Sequence, residues 1–320
     1  MRYKFLVIFF SLIFLITGCG IKQSVMGEFY LSSKKYKDGI HFFQDELHKN
    51  PNDPKVQYYL GRYYLADNQP KDGLIYLKKA IELDFFNADY QFWIGVAYAE
   101  NKQTKMEWKS YEKALKLNPN HLKSRIYLAH SQVERKLYKN ALANYSIVLK
   151  EWPDEPACLY NRALALKHLQ RTKEEKIAWK EYLDFYPSGP MANTAVEHLN
   201  SLGDFSYRNH IIGLRTITLR KIQFEPFSAK LTAEAKETLD FVREVLTTVK
   251  DVSIHIVVYH KNNKKLAEQK AKNIKKYLIE QYTKIGSSRI KISWFEVSES
   301  IRVDNKSFRE DESVNFFTAT

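Results

Sequence analysis

At 320 residues, with 44 % hydrophobic and 14 % aromatic residues, the chain has the composition of packed cores spread over about two domains and not that of a disordered polymer. Its formal charge of +13 and pI near 9.3 suit acidic envelope polymers or lipid headgroups, or else reflect a lysine-rich background composition. Eleven glycines and two cysteines leave little room for glycine-rich phosphate loops or a disulfide framework.

Arg2 and Lys4 precede an apolar run from Phe5 to Ile16, and Ile16-Thr17-Gly18-Cys19 closes it with small residues before a cysteine. The run is shorter than the roughly 20 apolar residues a membrane helix needs and fits the apolar part of a signal peptide. These residues resemble a bacterial lipoprotein signal, whose cysteine becomes the lipidated N-terminus. The resemblance implies a signal peptide over 1–18 and acyl chains on Cys19. Because Gly20 and not an aspartate follows, it also implies an outer-membrane lipoprotein facing the periplasm. A plain signal peptide or an N-terminal membrane anchor are the alternatives. Export removes nucleic acid as a partner for the basic charge. With Cys19 lipidated, Cys158 has no disulfide partner, and beside Leu159 and Leu164 it reads as a buried thiol.

A period of 34 follows. Pro51, Pro119, Pro153 and Pro187 are spaced by multiples of it, with Phe85 at the vacant place, and Gly61, Gly95, Ala129 and Ala163 keep step. Such a unit is a helix-turn-helix, with small residues where its helices touch and proline after the second. Leu60-Gly61-x-x-Tyr64, Ile94-Gly95-x-x-Tyr98 and Ala141-x-x-x-Tyr145 look like the tetratricopeptide repeat, although its leading tryptophan is replaced by Gln57, Gln91, Arg125 and Leu159. Units are expected at 54–87, 88–121, 122–155 and 156–189, with a partial one at 24–53 and a capping helix over Met191 to Leu202.

The resemblance implies an α-helical solenoid over 19–203 whose groove is lined by the first helix of each unit. The fifth positions are Tyr58, Phe92, Ile126 and Tyr160; the ninth are Arg62, Val96, His130 and Leu164. Mostly aromatic and aliphatic, these rows suit an apolar or helical segment of a protein partner, or pack on one another or on the second domain. On the first reading Phe92→Ala with Tyr160→Ala removes capture and leaves the stack folded.

After Gly203 the rhythm stops. Ile217 to Phe224 predicts a strand, Thr232 caps a helix through Leu239, Val242, Leu246 and Val249, and Val252 to Tyr259 alternates as a strand. Lys264 to Gln281 is helical, Arg289 to Val297 alternates again, and Val314 to Phe317 closes an α+β domain of order βαβαββ over 204–320. Ile222-Gln223-Phe224, Tyr259-His260-Lys261-Asn262 and Asn263 to Ala271 resemble the motifs of the peptidoglycan-associating OmpA-like domain. In that family an aspartate and an arginine grip the ammonium and carboxylate of a diaminopimelate side chain. Asn262 and Lys270 stand at those places, removing one charge and the bidentate fork. His260, Asn262, Asn263 and Lys270 therefore read as a degenerate peptidoglycan site, with Lys270 lacking its carboxylate. The lysines of this helix either attract the anionic wall polymer or form a solvated face.

The scattered histidines lack metal-ligand spacing, and neither GxSxG nor a phosphate loop occurs, so no catalytic residue, metal or cofactor is expected. The reading is a noncatalytic envelope lipoprotein that recruits a protein partner through its groove and associates with or near peptidoglycan, supporting an envelope, secretion or motility assembly. The alternative is a pure protein scaffold whose OmpA-like domain has lost the wall.

Overall fold

The computed structural model describes residues 22–280 and 285–319; the signal and Cys19 lie outside them. Eleven described helices come first: α1 (22–32), α2 (Tyr36–Lys49), α3 (Pro54–Ala66), α4 (Pro70–Leu83), α5 (Ala88–Glu100), α6 (Thr104–Leu117), α7 (Leu122–Glu134), α8 (Tyr138–Glu151), α9 (Pro156–His168), α10 (Thr172–Phe185) and α11 (Pro190–Ser201). The reversal inside each helix pair falls at Lys34, Asn68, Lys102, Lys136 and Gln170, all with φ between 56° and 61° and spaced by 34 residues. After each, an amide N–H reaches back five residues, as in Gln69 to Tyr64 O (2.7 Å) and Gln103 to Tyr98 O (2.8 Å), satisfying carbonyls that the ending helix leaves open. The first helix of most units is capped by a side chain: Asp53, Asn87, His121 and Glu155 each accept from N–H groups two or three residues on.

Close approach explains the small residues. A Cβ on Gly95 would stand 2.4 Å from the Tyr111 ring, and one on Gly27 2.3 Å from the Tyr59 ring. Gly27 is thus the counterpart of Gly61 one period earlier, and α1 with α2 forms a helix pair ahead of residue 54. The chain divides into two compact units, one ending at Val148 and the other beginning at Leu149. The first has a core around Phe43, Leu60, Tyr63 and Leu77, with a second cluster at Phe92, Tyr111 and Leu128.

The second unit joins α9, α10 and α11 to an α/β region. Within it α11 packs on the strands that follow: Asn200 donates to Tyr207 O (2.8 Å), and Asn193 Oδ1 accepts from the Thr218 hydroxyl (3.1 Å). Here β1 (Tyr207–Ile212) and β2 (Arg215–Arg220) form a hairpin, and α12 (Ala233–Thr248), β3 (Ser253–His260) and α13 (Lys264–Glu280) follow. Next come β4 (Ile290–Phe295), a hairpin of β5 (Glu299–Val303) and β6 (Lys306–Glu310), and β7 (Glu312–Ala319). The central sheet has order β4-β3-β7, with β3 parallel to β4 and antiparallel to β7. Ile254, Ile256 and Val258 meet Val314 and Phe316 on the face covered by Leu239, Val242, Leu246, Ala271 and Ile274.

Three strands depart from the expected βαβαββ order: β1, β5 and β6. In β5 and β6 apolar residues are few and interleaved with charges, as in Glu299-Ser300-Ile301-Arg302-Val303, and in β1 Tyr207, Ile211 and Ile212 do not alternate, so the two-residue period has little amplitude. The strand expected over Ile217 to Phe224 ends at Arg220; Phe224 instead makes a single bridge to Leu231.

Two repeat helices bury a carboxylate at the close-contact position, Glu107 and Glu175. Burial pushes the Glu175 carboxyl above its ordinary value, only partly offset by the hydrogen bond from Trp179 Nε1 (3.2 Å). A raised folded-state pKa means that the contribution of this group is complete below the unfolded value and lost as pH rises through the folded one. Glu175→Gln keeps an acceptor for Trp179, so it is expected to stabilise the chain at neutral pH. Its advantage in urea midpoint should grow as pH rises from about 4.3, the ordinary glutamate value; an advantage independent of pH would refute the assignment.

Candidate functional site

The sequence-predicted wall site is built at the end of β3. His260 and Glu312 are direct cross-strand partners of β3 and β7. Lys270 lies on the buried stripe of α13 with Ala267, Ala271, Ile274 and Leu278, and that spacing carries its ammonium inward. Its side chain is 3 % exposed, with Nζ 2.7 Å from Glu312 Oε2, 3.4 Å from His260 Nδ1 and 4.6 Å from the centre of the Phe224 ring. His260 Nδ1 is 3.2 Å from the same carboxylate oxygen.

Lys270 therefore does not lack a carboxylate, as the replacement at Asn262 suggested; β7 supplies one. The structure brings His260 and Lys270 together and adds Glu312 and Phe224, while the two asparagines do other work. Asn263 Oδ1 caps α13 by accepting from Leu266 N (2.9 Å). Asn262 is exposed at φ 60°, its N–H donating to Glu296 O (3.0 Å). Register across a sheet has no local signal, so the sequence does not by itself pair Glu312 with Lys270.

Part of the groove rows packs between the helices, the alternative left open by the sequence. Tyr58, Phe92 and Ile126 are buried, Phe92 to 2 % exposure, because they fill the gaps between helices. Phe92 meets Tyr111 and Tyr127, so Phe92→Ala truncates the core and is no clean probe of a groove. Val96, His130, Tyr160 and Leu164 are half-buried; Tyr160 packs edge-on against Trp179 and Tyr182. In the first unit the groove is charged. Arg62 Nη1 meets Glu28 Oε1 (2.5 Å) and the Tyr58 hydroxyl (3.2 Å), and its guanidinium lies 4.6 Å from the Trp93 ring centre. Sequence reasoning missed Glu28, one period before Arg62, and the row Lys55, Asp89 and Lys123, although the 34-residue spacing carried both.

Three family matches fall on this architecture: Tetratricopeptide repeat over 88–121 and again over 126–190, and OmpA family over 223–313. The protein carries tetratricopeptide repeats and a C-terminal OmpA domain. Among solved structures, PilF of Pseudomonas aeruginosa is 15 % identical with a TM-score of 0.51, over 55 % of this chain and 81 % of its own, a likeness of fold alone. MamA is 18 % identical with a TM-score of 0.45 over 53 % and 98 % of the two chains. YrrB, described as a TPR protein with an unusual peptide-binding site, is 17 % identical with a TM-score of 0.46 over 53 % and 87 %. A comparison with the curated proteins finds no match.

The repeats imply protein–protein interaction, and the OmpA domain suggests association with peptidoglycan and with the cell envelope. Both families are generally noncatalytic. Among the described residues no helix is long and apolar enough to cross a membrane, and no group of metal-ligating side chains is clustered.

Removing one partner of the OmpA-domain pair leaves a buried charge. Glu312→Gln is expected to destabilise the protein by about 3 kcal/mol, and adding Lys270→Met to recover most of that loss. Urea unfolding of the two variants checks this; equal losses would show that the ion pair is not the source.

Proposed function

We propose that the protein is a noncatalytic adaptor of the cell envelope, held in the outer membrane by acyl chains on Cys19. Its repeats recruit a protein partner and its OmpA domain binds peptidoglycan, within an envelope, secretion or motility assembly. The observation that carries this reading is the Lys270–Glu312 pair, 2.7 Å apart in the domain whose relatives grip a zwitterion. One cation and one carboxylate are both present, the carboxylate on β7 in place of the loop. A diaminopimelate end can exchange with the internal pair, its carboxylate taking Lys270 and its ammonium taking Glu312. Two ion pairs then replace one, which offsets the cost of opening a closed site.

One observation favours a second reading, a protein scaffold that has left the wall: at 3 % exposure the Lys270 side chain is already satisfied within the domain.

Cosedimentation of the mature chain with isolated sacculi separates the two. Binding that survives high salt, and is lost in Glu312→Gln and Lys270→Met variants of demonstrated fold, supports the clamp. Absence of binding, or binding removed by salt, would establish the scaffold reading. Anchoring is checked independently by fractionation: Cys19→Ser should move the protein from membranes to the soluble periplasm, and retention in the membrane would exclude lipidation.

A further inference from the structure

One corner of the repeat stack is unlike the others. The links between consecutive helix pairs carry Pro51-Asn52, Pro119-Asn120 and Pro153-Asp154, but the link between α4 and α5 carries Phe85-Phe86. Its two rings pack edge-on at 5.5 Å and still stand 51 % and 79 % exposed. Asn87 caps α5 and donates to Asp84 (3.3 Å), so the corner is closed by its own polar groups and the rings are left on its outside. We infer that Phe85 and Phe86 insert into the headgroup boundary of the membrane that holds the acyl chains of Cys19, and so fix which edge of the repeats faces the lipid. This contact rests on the reading that Cys19 is acylated, and adds a side-chain seat to that anchor.

Topology brings the corner and the anchor to one edge. Each helix pair reverses at the far edge, at Lys34, Asn68 and Lys102, so the links between pairs and the starts of α1, α3, α5 and α7 share the near one. Contacts along that edge run from pair to pair. Gln23 at the start of α1 donates to Asp53 (3.0 Å), Lys55 Nζ reaches Ser24 Oγ (3.2 Å), and Asp89 meets His121 at 3.1 Å. Cys19 lies outside the described residues, three positions before Lys22, a reach of at most about 10 Å. Two helix widths, roughly 20 Å, separate α1 from the Phe85-Phe86 corner. A bilayer that takes up acyl chains at residue 19 therefore runs close to the two rings.

The chemistry of the edge suits lipid. Two phenylalanines bury at most about 500 Å², short of the roughly 800 Å² that each partner of a stable protein interface gives up. A membrane already held by acyl chains needs only a supplement, and side chains of this kind seat about 5–10 Å into the headgroup boundary. Lys113 Nζ stands 3.4 Å from the centre of the Phe85 ring, and Lys116 follows one turn on, in the last turn of α6. Neither lysine has a carboxylate partner among the described residues. The carboxylates nearby are engaged within the protein: Glu82 by Lys79 (3.0 Å), Asp84 by Asn87 and Asp89 by His121. Apolar rings rimmed by ammonium groups match anionic phospholipid, with the rings at the acyl boundary and the lysines at the phosphates.

The test uses the lipidated mature chain reconstituted into vesicles of phosphatidylethanolamine and phosphatidylglycerol with brominated acyl chains, which quench indole emission on contact. Emission added by Phe86→Trp should be quenched about twofold more than that added by Ile75→Trp, a site on α4 about 15 Å from the corner along the helix. Both replaced side chains are exposed, so neither variant threatens the fold. Equal quenching at the two sites would overturn the contact. In cells, a benzoylphenylalanine placed at position 86 should cross-link to phospholipid; a protein adduct in its place would show that the corner serves a protein and overturn the lipid seat. Mass spectrometry of the N-terminal peptide separates the two levels. Acyl chains on Cys19 without quenching at position 86 leave the anchor standing and remove the corner, whereas absence of acyl chains removes both.

Discussion

Two helices can lie against each other in a 34-residue unit only if the chain reverses within a few residues. Here that reversal is made by one residue in the left-handed region. Lys34, Asn68, Lys102, Lys136 and Gln170 all adopt it, and only Asn68 is of a type that tolerates it readily. For the lysines and the glutamine the conformation costs about 1 kcal/mol each, sustained because the flanking helices over-determine it. The strict repetition of this turn puts equivalent side chains in rows. Glu28 therefore reaches Arg62, and Lys55, Asp89 and Lys123 share one cavity.

Buried or half-buried cations in both units are answered by carboxylates distant in sequence. Arg62 finds Glu28, Lys270 finds Glu312, and Arg208 holds Glu299 through two bonds of 2.7 and 3.0 Å. Such pairs stabilise a fold little relative to apolar substitutes, because desolvation offsets most of the attraction. Their weight is in specificity: each is satisfied only in one arrangement of the elements that carry it.

In the second unit the repeat helices and the α/β region are joined by polar contacts as well as by chain. Asp184 on α10 accepts from the Tyr207 hydroxyl and pairs with Arg220 of β2, while Lys180 reaches Asp204 at 3.2 Å. Burial, helped by Asp184, pushes the Tyr207 phenol well above its ordinary range, so it acts only as a neutral donor. With Asn193 tied to Asn209 and Thr218, the helices before residue 203 set the attitude of the strands after it.

Periodicity carried much of the architecture, because a repeat writes the same packing requirement into the chain several times. Gly61 and Gly95 mark close helix contacts, Thr232 caps α12, and the alternation of Ile254, Ile256 and Val258 marks the central strand, all from local chemistry. The groove residues were legible as rows but not as surfaces. Whether Phe92 faces solvent or Tyr111 depends on the tilt of neighbouring helices, which no spacing encodes. The hairpins of β1 and β5 were hidden by charges whose partners lie in other elements. By itself the sequence determined the helix pairs and the change of fold after Gly203. Only the tertiary structure decided that Glu312 answers Lys270 and Glu28 answers Arg62, because register and packing between distant segments choose the partner of a buried charge.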